Sequence, residues 1–392
     1  MLLLNADLYG PEPLGRRHVL VGAGKVLWIG EQPPELDDSL LAEVRDLEGR
    51  RLVPGIIDAH AHITGGGGES GYSSRIPPVP LQRFTRAGIT TVVGLLGTDD
   101  VTRTTASLLA GARGLCEEGI TAYCHTGGYH LPPVTLTGSV RGDIVHTDRI
   151  IGVGEIAISD HRSSQPTLDE LLRIAGDAHV GGMMTGKAGI VHLHLGDGER
   201  GLELVRRALD KSEIPARVFN PTHVNRRREL FDEALSLAER GCTVDVTAYP
   251  VRDGDAGWSA ADAIGRYLAS GLPEAHITVS SDGGGCLPVF DADGGLRHMD
   301  VGSPGILADT LGTLLDRGLA LETVLPAFTS NPARLLRLND KGAIRVGADA
   351  DLVVLGEDAT LCHVMARGRW HVFDGKVMIH PTIRDTTQET ST

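Results

Sequence analysis

Eight apolar, β-rich runs recur along the middle of this 392-residue chain, and helical stretches lie between them. The runs are LVPGIIDAHAH, ITTVVGLLG, ITAYCHTGGY, IIGVGEIAIS, GIVHLHLGD, ARVFNPTHV, CTVDVTAYP and HITVSSDGG. Two of the intervening stretches, TLDELLRIAGDAHV and RELFDEALSLAERG, place apolar residues with the 3.6-residue period of a helix. Strands that alternate with helices pair in parallel, and eight such strands form a (β/α)8 barrel. The pattern therefore predicts the α/β class with a TIM-like barrel.

Both ends of the chain show a different pattern, in which short β-like runs are separated by turns. MLLLNADLYG, HVLVGAGKVLWIG and EVRDLEGRRLVPG begin the chain, and GAIRVGADADLVVLGED, CHVMARGRWHVF and GKVMIH lie near its end. We expect a small β-sandwich domain built from residues 1–52 and 341–392, beside a barrel formed by residues 53–340. The last segment, TIRDTTQETST, has no apolar period and is expected to be a loose tail.

Charge and cysteine content exclude several classes of function. Lys and Arg total 37 against 51 for Asp and Glu, giving a net charge of −14. This balance argues against a nucleic-acid or membrane-surface role, because both need a basic face. No run approaches the ~18–20 apolar residues of a membrane span, and MLLLNADLYG is too short for a signal peptide or anchor. The five cysteines contain no CxxC pair, so we expect a reducing, cytoplasmic location.

Five of the eight runs carry side chains that bind metals well, at or near their ends. In chain order these residues are His60, His62, Glu155, His194, His223 and Asp282. The carboxyl ends of barrel strands converge on one face, where active sites lie. Residues i and i+2 of a strand point the same way, so the two histidines of the first run can bind one ion together. Four imidazoles and two carboxylates suit a pair of divalent ions, with zinc as the favoured ion.

Each of these residues also has a plainer interpretation. A single histidine at a strand end is more often exposed or hydrogen-bonded than a ligand, and we place His161 and His192 in that class. Glu155 would be costly in an apolar strand unless a positive group met it. That group is either the pair of metal ions or a nearby arginine, Arg149 or Arg162.

Longer motifs resemble those of a known superfamily. PGIIDAHAH, GDIVHTDRIIGVGEIAISDHRS, HLHLGD, PTHVNR and TVSSDG resemble the amidohydrolases, metal-dependent hydrolases on a distorted barrel with a terminal β-sandwich. ITGGGGESG, VVGLLGTDD, TGGYHLPPVTLTGSV and AISDHRS are similar to the isoaspartyl (β-aspartyl) dipeptidase family. The resemblance covers almost the whole chain. It implies hydrolysis of the isopeptide amide bond of β-aspartyl dipeptides by a metal-bridging hydroxide, and a homo-oligomer.

The resemblance also implies roles for individual residues. The two histidines of the first run, with Asp282, would bind the more buried ion, and those of the fifth and sixth runs would bind the second. Tyr129 would polarise the scissile carbonyl, and Asp282 would also shuttle the proton. The substrate would be held by Glu69 at its α-ammonium, by Thr98 at the same end, by Arg162 and Arg226 at its carboxylates, and near a carboxylate by Cys286.

Two positions depart from the family pattern. The family typically bridges its two ions with a carboxylated lysine on strand four, where this chain has Glu155. The run IGVGE is one residue longer than expected, which would allow a β-bulge to carry the shorter glutamate inward. Cys286 stands where the family usually has serine, and a thiol is the weaker hydrogen-bond donor.

Other functions stay open at this point. An amidohydrolase of cyclic amides, similar to dihydroorotase or hydantoinase, would need fewer paired charges than Glu69 and the arginines supply. A barrel could also bind a metal or a ligand without turnover. Cys286 could be a thiol nucleophile, although no cysteine-protease signature surrounds it. The GGGGE stretch that carries Glu69 could be a flexible surface loop.

Overall fold

The computed structural model of the protein describes residues 1–37, 43–251, 255–290, 296–356 and 358–380. The expected tail at residues 382–392 lies outside the described residues. Within the described part of the chain, no helix is both long and apolar enough to cross a membrane.

The N-terminal fifty residues form the first strands, as their β-like pattern predicts. These strands are β1 (Leu2–Tyr9), β2 (Pro13–Gly22), β3 (Lys25–Gly30), β4 (Val44–Asp46) and β5 (Arg51–Pro54). β1, β2 and β3 form an antiparallel meander, and β5 runs parallel to β1.

All eight runs predicted to be barrel strands are strands in the structure. They are β6 (Ile56–Ala61), β7 (Ile89–Gly94), β8 (Thr121–Thr126), β9 (Ile150–Ile158), β10 (Ile190–Leu195), β11 (Phe219–Thr222), β12 (Val244–Thr247) and β13 (Ile277–Ser280). The first six pair in chain order in one parallel sheet, and the last two pair in parallel with each other. Their residues are buried almost throughout, as expected for strands covered by helices.

Contacts at both edges join the six-stranded sheet to the two-stranded one. On one side, Ala61 at the end of β6 forms a parallel bridge with Gly283, just after β13. On the other side, β11 and β12 are not paired through their backbones in the described residues. Instead, the side-chain amide of Asn220 on β11 donates to the carbonyl of Thr243, just before β12, at 2.7 Å. The eight carboxyl ends are therefore brought to one face.

The helices alternate with these strands. They are α1 (Leu81–Thr85), α2 (Thr105–Glu118), α3 (Val140–His146), α4 (Leu168–Thr185), α5 (Glu203–Lys211), α6 (Arg228–Glu239), α7 (Ala260–Ala269), α8 (Ile306–Asp316), α9 (Leu321–Val324) and α10 (Ser330–Leu335). The two stretches with helical period form α4 and α6. Local sequence fixes the ends of α4: Thr167 and Glu170 form a capping box, and Gly186 ends the helix in the left-handed conformation.

An antiparallel pair and four C-terminal strands are the remaining strands of the described residues. They are β14 (Cys286–Phe290) and β15 (Leu296–Val301), then β16 (Leu352–Leu355), β17 (Leu361–Ala366), β18 (Arg369–Phe373) and β19 (Lys376–Val377). The C-terminal four join the N-terminal strands in one nine-stranded mixed sheet, in which β16 pairs with β5. The two chain ends thus meet as expected, whereas the sandwich arrangement and the domain boundaries stay predictions.

Candidate active site

The six predicted metal ligands lie together at the carboxyl ends of β6, β9, β10, β11 and β13. They form three groups whose ligand atoms all lie within 4.8 Å of one another. The groups are His60, His62 and Glu155; His60, His223 and Asp282; and Glu155, His194 and His223. We call the six residues the ligand cluster. Glu155 belongs to a group with the histidines of β6 and to a group with those of β10 and β11, so it stands between two potential ion positions.

Two distances within the ligand cluster fit ions lying between the side chains, while His194 Nδ1, at 3.0 Å from Glu155 Oε2, is within hydrogen-bond range. His62 Nε2 is 3.4 Å from Glu155 Oε1, and His223 Nε2 is 3.4 Å from Glu155 Oε2. These separations exceed the ~2.9 Å of an ordinary hydrogen bond. Two ligand atoms bound tetrahedrally to one zinc at ~2.1 Å would be about 3.4 Å apart.

Several polar atoms of the ligand cluster have no hydrogen-bond partner among the described residues. His60 Nε2, Glu155 Oε1 and Asp282 Oδ1 are buried in this state. Buried polar atoms are normally paired, because leaving one unpaired costs about 1–3 kcal/mol. Imidazole nitrogens and carboxylate oxygens are also the donors that zinc prefers. The residues present therefore fit a pair of divalent ions.

Three of the four histidines form a hydrogen bond through the ring nitrogen that points away from Glu155. The contacts are His60 Nδ1 to His192 Nε2 at 2.8 Å, His194 Nε2 to Asp160 Oδ2 at 3.0 Å, and His223 Nδ1 to Thr247 Oγ1 at 2.7 Å. In each case the other ring nitrogen faces Glu155. Such outer contacts fix the orientation of a metal-binding imidazole. His192, expected to be a hydrogen-bonded histidine, has this supporting position.

A β-bulge turns Glu155 into the barrel. Val153 on β9 pairs with Val191 on β10, but Ile156 pairs with Leu193, so β9 has one extra residue between the two pairs. The predicted extra residue is therefore confirmed. Gly154 takes a φ of 153°, and a Cβ there would lie 2.7 Å from the carbonyl oxygen of His192, so the bulge needs glycine.

The side chains that meet Glu155 are histidines. His60, His62, His194 and His223 lie 3.0–3.7 Å from its carboxylate oxygens. Neither candidate arginine is its partner: Arg149 lies over the ring of Tyr123, and Arg162 pairs with Asp160. Burial would raise the pKa of Glu155, but the neighbouring histidines hold that pKa well below its usual range. The glutamate is therefore a carboxylate at neutral pH.

Asp282 follows β13 in a left-handed conformation with a φ of 49°. Its N–H donates to the carbonyl of His60 at 3.1 Å, which fixes it beside β6. Burial would raise its pKa, but the nearby imidazoles of His60 and His62, whose Nε2 atoms lie 3.5 and 3.1 Å from Oδ1, hold the pKa of Asp282 well below its usual range. Asp282 is therefore a carboxylate, the form needed to accept a proton.

Tyr129 lies against the ligand cluster and is 5% exposed. Its hydroxyl is 2.9 Å from His194 Nδ1. Its backbone is anchored on both sides, because Tyr129 N donates to the carbonyl of Gly97 at 3.3 Å and Ala157 N donates to the carbonyl of Tyr129 at 3.1 Å. Burial, followed by the charge of Glu155, raises the pKa of Tyr129 well above its usual value. The phenol therefore keeps its proton and can donate a hydrogen bond.

Four of the five predicted substrate-binding residues meet next to the ligand cluster. Thr98 Oγ1 donates to Glu69 Oε1 at 2.7 Å, and Arg162 Nη1 donates to the same oxygen at 3.0 Å. Burial, followed by the charge of Glu69, raises the pKa of the Cys286 thiol to about 12. The fifth residue, Arg226, lies in the 3₁₀ turn after β11, where its charge opposes the rise in the Tyr129 pKa.

The Gly-rich loop before Glu69 is fixed by Arg103, which sequence reasoning missed. Arg103 is buried and its Nη2 donates to the carbonyls of Gly66 and Ile76 at 2.9 Å each. Gly66 N in turn donates to the carbonyl of Gly284 at 2.8 Å. Gly67 has a φ of 73°, and a Cβ there would lie 2.4 Å from Ser74 O. The stretch is therefore an anchored turn rather than a flexible surface loop.

Asp160 is the second residue that sequence reasoning missed. Its side chain is fully buried and accepts from Arg162 N, Nε and Nη2 at 2.7, 3.0 and 2.7 Å. It also contacts His194, so it links the predicted substrate-binding arginine to a predicted metal ligand. A Cβ on Gly196 would lie 2.0 Å from this carboxylate, so the glycine after HLHL makes room for it. The polar string SDHR directly after β9 was the available signal.

Comparison with known proteins identifies the family. A model of the amidohydrolase family matches residues 252–379. The β-aspartyl dipeptidase of Fervidobacterium islandicum AW-1, solved in complex with the β-Asp-Leu dipeptide, is 44% identical with a TM-score of 0.89, over 96% of this chain and 97% of that one. The chain belongs to the amidohydrolase family. Its likeness to a β-aspartyl dipeptidase over nearly the whole chain confirms the resemblance inferred from sequence.

Other amidohydrolases are more distant. A D-hydantoinase structure is 18% identical with a TM-score of 0.69 over 97% of both chains, which shows a shared fold alone. An imidazolonepropionase from Salinispora arenicola (strain CNS-205) is 34% identical over 148 residues, which are 36% of this chain and 35% of that enzyme. This amidohydrolase is thus a hydrolase of a metal-dependent type, and its relatives act on more than one kind of substrate.

Proposed function

We propose that this amidohydrolase hydrolyses the isopeptide amide bond of β-aspartyl dipeptides. The observation that carries the proposal is that Glu69 and Arg162 meet beside the ligand cluster. The aspartyl end of such a substrate carries an ammonium and a carboxylate, which need one carboxylate and one guanidinium. The 44% identity to a dipeptidase solved with β-Asp-Leu supports the same substrate class.

The ligand cluster is proposed to hold two divalent ions, with zinc as the first ion to test. We assign the more buried ion to His60, His62 and Asp282, the second ion to His194 and His223, and a shared position to Glu155. When bound, two such ions supply a nucleophilic water at neutral pH and polarise an amide carbonyl.

The chain's own residues would then move the proton and stabilise the developing charge. Asp282 is a carboxylate within 3.1 Å of His62, so it is placed to take a proton from the nucleophile and deliver it to the leaving nitrogen. Tyr129 keeps its phenolic proton and would donate it in a hydrogen bond to the oxyanion. Glu69 with Thr98 would bind the α-ammonium, and Arg162 with Arg226 would bind carboxylates.

A second candidate is hydrolysis of a cyclic amide, because the chain shares its fold with a D-hydantoinase. An uncharged ring would leave the Glu69 carboxylate and the Arg162 guanidinium without a role. A barrel that only binds metal or ligand is the third candidate, and it gives no role to Tyr129 and Asp282 as proton donor and acceptor. The β-aspartyl dipeptide uses all four residues.

A substrate panel tests the proposal. Zinc-loaded protein is assayed with β-Asp-Leu, α-Asp-Leu, a hydantoin, dihydroorotate and imidazolone propionate. We expect kcat/KM for β-Asp-Leu to exceed the others by roughly 100-fold or more, because buried polar groups reject substrates that cannot pair with them. Chelation should abolish turnover and zinc should restore it. Preferred turnover of a cyclic amide would favour the second candidate, and metal binding without any turnover would favour the third.

The setting of the enzyme is also proposed rather than observed. We propose a cytoplasmic enzyme of a small dipeptide substrate, with neither nucleic acid nor membrane as a partner, because the net charge is −14 and all five cysteines are free. A homo-oligomer is proposed on family resemblance. Sedimentation of the purified protein would test it.

A further inference from the structure

The two residues proposed to take the opposite charges of the substrate are already bonded to each other. Arg162 Nη1 lies 3.0 Å from Glu69 Oε1, and their side chains are 28% and 19% exposed. Thr98 also donates to the same oxygen of Glu69, so this carboxylate has two partners without any ligand. A substrate must therefore displace an existing ion pair rather than fill two waiting sites.

Asp160 limits how Arg162 can respond. The Nε and Nη2 atoms of Arg162 are both held by the buried Asp160 carboxylate, at 3.0 and 2.7 Å. Nη1 is the guanidinium nitrogen that Asp160 leaves to another partner, and that partner is Glu69. Arg162 can thus exchange Glu69 for a substrate carboxylate at Nη1 while Asp160 keeps the guanidinium in place.

The pair also lies where the reaction would occur. Arg162 Nη2 is 3.4 Å from His194 Nε2, and its guanidinium is 5.4 Å from the centre of the Tyr129 ring. Separation of Glu69 from Arg162 would therefore open space directly beside the ligand cluster.

We propose that Glu69 and Arg162 act as a charge latch, which rests on the proposed function and adds a selection rule to it. They pair with each other in the free enzyme and separate only for a substrate end with both an ammonium and a carboxylate. A doubly charged end gives each residue a new partner. A singly charged end pairs with one residue and takes from the other its partner in the latch, so it only exchanges one partly exposed ion pair for another. The two substrate charges therefore act cooperatively instead of adding.

Three amides formed on the amino group of leucine test the latch in the unmodified enzyme. N-succinyl-leucine lacks the ammonium of β-Asp-Leu, β-alanyl-leucine lacks its carboxylate, and N-propanoyl-leucine lacks both. Each is measured as a competitive inhibitor of β-Asp-Leu hydrolysis by the zinc-loaded protein. We expect the two singly charged amides to bind within about threefold of N-propanoyl-leucine, since each must break a partly exposed ion pair to gain one. A tenfold or greater gain for β-alanyl-leucine would overturn the latch, because Glu69 would then accept an ammonium alone.

The Glu69→Gln variant provides the second arm. Its neutral amide releases Arg162, so N-succinyl-leucine should bind about threefold to tenfold more tightly than N-propanoyl-leucine. In the same variant kcat/KM for β-Asp-Leu should fall by roughly 10–1000-fold, because the ammonium loses its carboxylate. The exposed Glu117→Gln variant on α2 removes the same charge far from the site, and should reproduce the unmodified enzyme.

The outcomes separate the latch from the proposed function. No hydrolysis of β-Asp-Leu by the unmodified enzyme would count against the proposed function. Hydrolysis of β-Asp-Leu together with additive effects of the two charges would count against the latch alone. The latch would also be wrong if the affinity of N-succinyl-leucine relative to N-propanoyl-leucine were the same in Glu69→Gln as in the unmodified enzyme.

Discussion

The ligand cluster and the charge latch lie side by side, but they differ in hydrogen bonding: the first has buried polar atoms without partners among the described residues, and the second has polar atoms with partners. In the ligand cluster, His60 Nε2, Glu155 Oε1 and Asp282 Oδ1 are buried without a hydrogen-bond partner in the described ranges. In the charge latch, Glu69 and Arg162 pair with each other and with neighbouring residues. Unpaired buried atoms indicate a permanently bound group, whereas a paired, partly exposed couple indicates a ligand that comes and goes. The contrast supports the proposals that the ligand cluster binds a cofactor and that the charge latch binds substrate.

The largest expected effect comes from removing the shared carboxylate. Glu155→Ala should lower the metal content from about two ions per chain to about one or fewer, because two divalent charges lose the group that offsets both. Loss should be greatest for the ion held by His194 and His223, and β-Asp-Leu hydrolysis should fall with it. The melting temperature should change little in comparison. Metal per chain measured beside Tm checks this.

The matched variant and reconstitution sharpen that test. Glu155→Gln keeps the shape of the side chain but should also lose much of the metal, since a neutral amide cannot offset the ions. Metal uptake by the apo-protein should not respond to added bicarbonate, because a glutamate needs no carbon dioxide to become a carboxylate. Two metals retained per chain in Glu155→Ala would contradict the shared position.

Tyr129→Phe should have the next largest effect on turnover. Removing one hydrogen-bond donor from an oxyanion typically lowers kcat by about 100–1000-fold. KM should change by less than about threefold, because the contact strengthens in the transition state. Steady-state kinetics on β-Asp-Leu measure the effects on kcat and on KM separately. If KM rose while kcat held, Tyr129 would belong to ground-state binding or to structure.

Asp160→Asn tests the residue that touches both regions. An asparagine would place an amide where His194 and Arg162 both present N–H groups, so affinity for the second ion should fall by roughly 10–100-fold. Competition with a metal-binding dye measures this without substrate. Asp197→Asn is the matched control, because Asp197 also contacts a histidine, His161 at 2.8 Å, but on the surface. If Asp160→Asn and Asp197→Asn bound the metal with equal affinity, Asp160 would have no role in metal binding beyond supporting the local structure.

Cys286→Ser should have the smallest effect. The pKa of the thiol is raised to about 12, so the group is neutral at pH 7 and is a poor nucleophile. Serine keeps a small polar group at this position, and kcat/KM should stay within about fivefold of the unmodified enzyme. The thiol-nucleophile hypothesis instead requires near-complete loss of activity, so a single assay separates the two.

Local patterns were enough to predict the barrel strands and the ligand cluster. The two-residue period placed His60 and His62 on one side of β6, and strand ends located His194, His223 and Asp282. These features depend on backbone periodicity and on the convergence of parallel strands, which short stretches of sequence encode directly. The bulge that carries Glu155 inward was predicted from family resemblance, because IGVGE is one residue longer than the family pattern.

Contacts between distant loops were not predictable in the same way. Asp160 reaches His194 on β10, and Gly196, more than thirty residues after Asp160, makes room for its carboxylate. Arg103 holds carbonyls of a loop that precedes it by about as much. No sequence period specifies which carboxylate an arginine will meet. The two residues that were missed both act through such contacts.

The nine-stranded sheet has a consequence for how the chain is made. Val53 on β5 pairs with Val353 on β16, so β5 lacks this neighbour until about 300 further residues have been synthesised. During translation the barrel strands emerge while one side of β5 has no partner, and unpaired strand edges promote association between chains. Production of the protein should therefore benefit from slower synthesis or from chaperones that shield this edge until β16 arrives.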